Sequence, residues 1–177
     1  MFLHETIILP KEDTYFQYDL WEDGKSDVLL ITGLVGSGKS TLGRQMAEEE
    51  GCEFYELDWM EHAMRETLGK DADKLRDSEF RRKYATDFFK TRILNKRFRG
   101  KRVIVEGVKV MRMDRDYMAT FPIIIKETSA VVSSVRAINR ERKRDEENIF
   151  QNVHTTLKYN KRFIKLVKEF KKDLGIR

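Results

Sequence analysis

Residues 33 to 41 read Gly-Leu-Val-Gly-Ser-Gly-Lys-Ser-Thr, the spacing G-x-x-x-x-G-K-[ST]. No other stretch constrains the chain as tightly. Asp27-Val-Leu-Leu-Ile-Thr32 before it is a short apolar run suited to a buried strand, and the residues from Lys39 onward read as a helix. Gly33, Gly36 and Gly38 let the backbone take positive φ and approach an anion closely. The loop amides, including those at Ser37 and Thr41, then form a concave anion nest. The unpaired N–H groups at the helix start face the same anion. In this pattern Lys39 reaches the β- and γ-phosphates of a nucleoside triphosphate, and the Ser40 hydroxyl holds Mg²⁺.

The rest of the chain repeats strand and helix. Thr6 to Leu9 reads as a short strand, and Phe16, Tyr18 and Leu20 alternate with polar residues as a half-buried strand does. Asp23-Gly24 marks a tight turn, so a hairpin over residues 1–26 is expected before the loop. The helix from Lys39 stops at Gly51. Strands are expected at Phe54–Leu57, Arg102–Glu106 and Phe121–Lys126. Helices are expected at 60–69, from a Ser78 cap through Phe98, at 111–119, from about Thr128, and from Ile149 towards the C-terminus. Asp71 to Arg76 reads as a polar connection. Alternating strands and helices predict a parallel sheet with helices on both faces, and the loop then lies at the carboxyl end of its first strand.

Two acids close strands. Asp58 follows the second strand and Glu106 ends the third, so both carboxylates should face the loop across the crevice at the strand ends. Such an acid can hold Mg²⁺ directly or through water, or accept a proton from a substrate hydroxyl. Glu106 is the candidate for the metal, and Asp58 for base or substrate contact. Gly107 would allow a ligand to come close. Arg136, Arg140, Arg142, Lys143 and Arg144 form the densest basic cluster. Phosphoryl transfer spreads negative charge over oxygens, and arginines in such a segment can neutralise it, with Arg140 and Arg144 ranked first. Arg65, Arg81, Arg82 and Arg92, between the second and third strands, and Arg112 and Arg115, after the third, are candidates to hold an acceptor; Arg65 and Glu106 are assigned to substrate alongside Asp58.

Composition sets the remaining bounds. The chain has 177 residues, two prolines and no Pro/Ser/Gly-rich linker, which favours a single domain over 1–177. No apolar run approaches the ~20 residues that span a bilayer, and the N-terminus lacks the regions of a signal peptide. Cys52 is the only cysteine, which points to a reducing, cytoplasmic setting. His4, His62 and His154 lack metal-ligand spacing. Trp21 and Trp59 read as core or pocket wall. The net charge of +5 is accounted for by phosphate binding; a nucleic-acid partner is allowed but not favoured.

In these residues the chain resembles the P-loop kinase group that includes adenylate kinase, shikimate kinase and the viral deoxynucleotide kinases. The resemblance covers about residues 27 to 150. It rests on Gly33–Thr41, Leu57-Asp58, Val103-Ile-Val-Glu-Gly107 and the arginine-bearing segment 136–148, which looks like the lid of that group. It implies a three-layer P-loop kinase fold with a mostly parallel sheet. It also implies transfer of the γ-phosphoryl of ATP, with Mg²⁺, to a small acceptor. Such kinases place a fifth strand after the lid; here that part reads as helix, and the N-terminal hairpin is expected to supply the missing edge.

The residues leave the acceptor open. A nucleoside monophosphate needs arginines but no base and is slightly preferred. A hydroxyl acceptor (a metabolite, a nucleoside or a polynucleotide 5′ end) needs a carboxylate base, which Asp58 can supply. A P-loop ATPase that regulates or binds nucleic acid is the third reading. The oligomeric state is not encoded in any visible motif.

Overall fold

The computed structural model describes residues 13–127 and 149–176. The strands are β1 Thr14–Phe16, β2 Val28–Gly33, β3 Glu53–Glu56, β4 Val103–Glu106 and β5 Ile123–Lys126. The α-helices are α1 Asp19–Glu22, α2 Lys39–Glu50, α3 Met60–Leu68, α4 Ser78–Phe88, α5 Arg115–Met118 and α6 Ile149–Asp173. The sheet runs β1-β5-β2-β4-β3. β2 lies parallel to both β4 and β5, β3 is parallel to β4, and β1 alone is antiparallel, against β5.

β2, β4 and β5, the inner strands, are near-continuous apolar runs because helices cover both faces of the sheet there. Leu29, Ile31, Ile104 and Ile124 point to one face, where Trp21, Met46 and Ala47 of α1 and α2 cover them. Leu30, Val103, Val105, Ile123 and Ile125 point to the other, under Met60, Met64, Phe89, Phe163 and Phe170. This is the expected three-layer arrangement. Successive side chains of one strand serve opposite layers, so a one-residue slip would exchange both cores.

Several local expectations change. The alternation at Phe16–Leu20 does not make a strand. Gln17 takes φ 49, which breaks the extended run, and Asp19–Glu22 turns helical. The turn buries Trp21, whose Nε1–H donates to Glu50 at 2.9 Å. No hairpin forms between β1 and β2 among the described residues; β1 instead pairs with β5 and occupies the edge that a fifth parallel strand would take. Thr6 to Leu9 and the helix start near Thr128 lie outside the described residues. Leu174-Gly-Ile176 forms a turn that buries Leu174 and closes the described part of the chain.

Helix boundaries also move. Asp77, not Ser78, caps α4, its side chain accepting from Phe80 N–H at 2.7 Å. The polar stretch Gly69–Arg76 is a 3₁₀ turn pinned by buried Leu75. The helix predicted to run unbroken to Phe98 widens into a π-helix over Phe89–Arg97. Phe89, Ile93 and Phe98 are all buried at spacings of four and five, and Phe98 N–H reaches Ile93 O at 3.1 Å, the i→i+5 bond of that form. The single helix expected at 111–119 is a 3₁₀ turn, Val108–Arg112, followed by α5.

Candidate functional site

The phosphate loop joins β2 to α2, and its shape follows from the glycines. Gly33, Gly36 and Gly38 have φ of 139, 78 and 92°, a range that L side chains rarely enter. At Gly33 the neighbour matters too. A Cβ there would lie 2.3 Å from the Lys126 carbonyl oxygen, because Gly33 pairs with Lys126 in the β2–β5 ladder. Gly38 caps α2 in the left-handed region, so the helix amides from Lys39 onward open towards the loop.

Lys39 is buried, and its ammonium donates to Leu34 O at 2.8 Å across the loop. Ser40 Oγ donates to Glu106 Oε1 at 3.1 Å. Glu106 ends β4 in register with Ile31 and Glu56 and is 2% exposed. Burial raises its carboxyl pKa above the usual range; nearby Lys39 and the Ser40 bond pull it back, while Asp58 and Glu56 push it up further. Glu106 Oε2 and Ser37 Oγ are buried and have no hydrogen-bond partner among the described residues.

This donor set suits Mg²⁺. The ion is hard, prefers oxygen, and usually keeps several waters beside one or two protein ligands and substrate phosphates. A hydroxyl and a buried carboxylate with an unsatisfied oxygen match that habit. Among the described residues no group of three His, Cys, Asp or Glu side chains is arranged as a metal cage.

Asp58 lies in the 3₁₀ turn Leu57–Trp59 directly after β3, exposed at the same end of the sheet. The turn is tied down by Lys109, whose Nζ donates to Leu57 O at 3.3 Å and Asp58 O at 2.9 Å. Beside it a shallow cleft, open to solvent, is lined by Met60, Glu61, Met64, Arg81, Ala85, Lys109 and Arg112. Its floor is apolar and its rim is mainly cationic. Burial lowers the Lys109 pKa, and Glu61 and Asp58 oppose that shift.

The expected acceptor residues thus sort by position. Arg81 and Arg112 line the cleft, whereas Arg65 sits outside that lining, exposed and paired with Glu61 at 3.3 Å. Arg82 and Arg92 are exposed on their helices. Arg115 is committed to Asp173 at 3.1 Å and to the Phe170 ring. At Gly107 a Cβ would lie 2.9 Å from Leu57 Cβ, so the close approach seen there is between the end of β4 and the β3 turn. Trp59 is 72% exposed and is not among the residues that line the cleft. Arg136, Arg140, Arg144 and the rest of segment 136–148 lie outside the described residues. Lys109 was not singled out from sequence; its position three residues beyond the strand-end acid is the only signal that could have marked it.

Comparison with known proteins gives a consistent family. The shikimate kinase family model matches residues 35–144. A shikimate kinase of Actinobacillus succinogenes is 25% identical over 123 residues, 66% of this chain and 65% of that protein. One from Thiobacillus denitrificans is 50% identical over 34 residues, 19% of each chain. The chain therefore covers less than two thirds of the length of these curated relatives. The solved structure of a shikimate kinase from Acinetobacter baumannii in complex with shikimate is 23% identical and covers 81% of this chain and 79% of its own, with a TM-score of 0.45. No helix among the described residues is long and apolar enough to cross a membrane.

Proposed function

The chain belongs to the shikimate kinase family, and from that premise we propose that it transfers the γ-phosphoryl group of ATP to a hydroxyl of a small, negatively charged metabolite of shikimate's class. The preference for a nucleoside monophosphate drawn from sequence gives way to the hydroxyl-acceptor alternative, because the family match and both curated relatives are kinases of that kind.

The observation that carries the reading is the placement of Asp58. It follows β3 at the sheet end that carries the Ser40–Glu106 contact, and Lys109, which donates to its carbonyl, lines a cleft with a mainly cationic rim. A hydroxyl acceptor needs a nearby base, and a carboxylate at the mouth of the cleft can take its proton. Lys39 and the loop amides hold the β- and γ-phosphates and stabilise charge as it develops on them. Ser40 and Glu106 would hold Mg²⁺, which supplies charge neutralisation between the phosphates. Arg81, Lys109 and Arg112 orient an anionic group of the acceptor and so keep its hydroxyl in reach of Asp58. Arg140 and Arg144 are assigned to neutralising the transferring group, as the lid resemblance implies. Arg65 is left as a peripheral contact.

The test is ADP release by purified protein with ATP and Mg²⁺ against a panel of acceptors. Hydroxylated carboxylic acids, shikimate first, should stimulate release. Stimulation by nucleoside monophosphates alone would overturn the acceptor assignment.

A further inference from the structure

Lys126 is unlike the other strand-end residues. It ends β5 beside the phosphate loop, and its backbone and side chain both press on that loop. A Cβ on Gly33 would lie 2.3 Å from Lys126 O and 3.2 Å from Lys126 Cβ, and one on Gly38 would lie 3.8 Å from Lys126 Cε. The lysine stem therefore runs over the loop towards the start of α2. Its ammonium ends on Asp13 Oδ2 at 2.8 Å, in a pair whose side chains are 16% and 1% exposed.

That pair is not needed to fasten the edge strand. β1 is already held by its ladder to β5, by Glu127 N–H donating to Asp13 Oδ1 at 3.1 Å, and by Thr14 Oγ1 donating to Glu127 at 3.1 Å. Glu127 in turn receives Lys171 of α6 at 2.5 Å. Burying a lysine ammonium is costly, and an apolar side chain of similar length would pack there at less expense. A cation kept at this place, with a flexible four-carbon stem, is positioned to serve an anion on the loop.

We propose that Lys126 is a second cation of the nucleotide site, parked on Asp13 until a polyphosphate on the loop competes for it. The ammonium exchanges one anionic partner for another and is never left bare; the cost of the swap falls on the Asp13 carboxylate. Asp13 keeps its bond from Glu127 N–H throughout, which holds the vacated carboxylate in place. The inference rests on the reading of the loop as a triphosphate site.

The experiment is calorimetric titration of ATP, with Mg²⁺, and of inorganic tripolyphosphate into the native protein and the variants Lys126→Met, Lys126→Arg and Asp13→Asn. A melting curve for each without ligand reports folding. Losing one charge-assisted contact should weaken both ligands about tenfold or more in Lys126→Met. Lys126→Arg should recover most of that loss. Asp13→Asn, which removes the competing charge, should bind at least as tightly as native. A folded Lys126→Met that binds within about twofold of native overturns the proposal, as does a tenfold loss in Asp13→Asn, which would make the pair a strut. If Lys126→Met does not fold, Asp13→Asn decides alone by the same criterion. Failure of the native protein to bind either ligand overturns the triphosphate site itself, whereas native binding with an unaffected Lys126→Met overturns only the role of Lys126.

Discussion

Ser40 Oγ and Glu106 Oε1 are joined by a 3.1 Å hydrogen bond across 66 residues of sequence. The contact closes the start of α2 onto the end of β4 and places a metal-competent hydroxyl against a buried carboxylate. It couples the loop to the sheet at the point where the phosphates would lie.

Glu106 should therefore trade stability for function. Burial holds its folded pKa above the 4.5 of an ordinary glutamate. Between 4.5 and the raised value the folded state binds more protons than the unfolded one, so this group's contribution to stability falls as pH rises through that window. In metal-free buffer at pH 8, Glu106→Gln should melt no lower than native, and native should gain on it as pH drops towards 4.5. With Mg²⁺, the same variant should lose ATP turnover by about a hundredfold or more. Thermal melts across pH, paired with turnover assays, check both halves.

Gly33→Ala should be among the most damaging single-methyl additions. The new Cβ meets a backbone carbonyl at 2.3 Å, which no rotamer change relieves, at a φ of 139° that alanine tolerates poorly. A loss of about 3 kcal/mol is expected from overpacking and strain together. Gly43→Ala places its Cβ 2.5 Å from Phe54 Cε2, a ring that can move, and should cost less, about 1–2 kcal/mol. Urea unfolding of the two variants tests the order.

Asp58→Asn separates the acceptor classes. With a hydroxyl acceptor, kcat should fall about 10²- to 10⁴-fold while KM for ATP stays close to native. Turnover that survives nearly intact would remove the base role and return the advantage to a phosphate acceptor.

Lys109 should give acceptor binding an alkaline limit. Burial lowers its pKa below the ordinary 10.5, so its charge is lost as pH rises through that lowered value. KM for an anionic acceptor should climb there, with kcat less affected, and Lys109→Arg should move the rise to higher pH. For folding the sign is opposite: the unfolded state binds more protons between the lowered value and 10.5, so this lysine's contribution to stability rises with pH in that window. A KM–pH profile identical in Lys109→Arg would exclude the assignment.

Legibility in the sequence followed the range of the interactions. The loop could be read because its glycines, Lys39 and Ser40 act through local backbone geometry, and β2, β4 and β5 because strands buried on both faces are apolar throughout. Asp58 and Glu106 could be placed at one sheet end because parallel topology forces it. An N-terminal segment at the free edge was expected, but its single strand and register could not be read, since Thr14 meets Ile125 across more than a hundred residues and period-two alternation from Phe16 to Leu20 was the stronger local signal. Trp21 explains that failure: its burial on Glu50 and Arg102 favours a helical turn over the strand. The cleft was half visible. Arg81 and Arg112 were among several arginines of equal standing, and Lys109 acquires meaning only when its ammonium meets the carbonyls of Leu57 and Asp58.

The most direct test of the kinase reading is to follow the γ-phosphoryl itself. ATP labelled at that position, incubated with shikimate, Mg²⁺ and either native protein or Lys39→Ala, should give labelled phosphoshikimate with the native protein and a yield reduced at least a hundredfold with the variant. Label that stays in ATP or appears only as inorganic phosphate with the native protein, or equal transfer by both proteins, would contradict it.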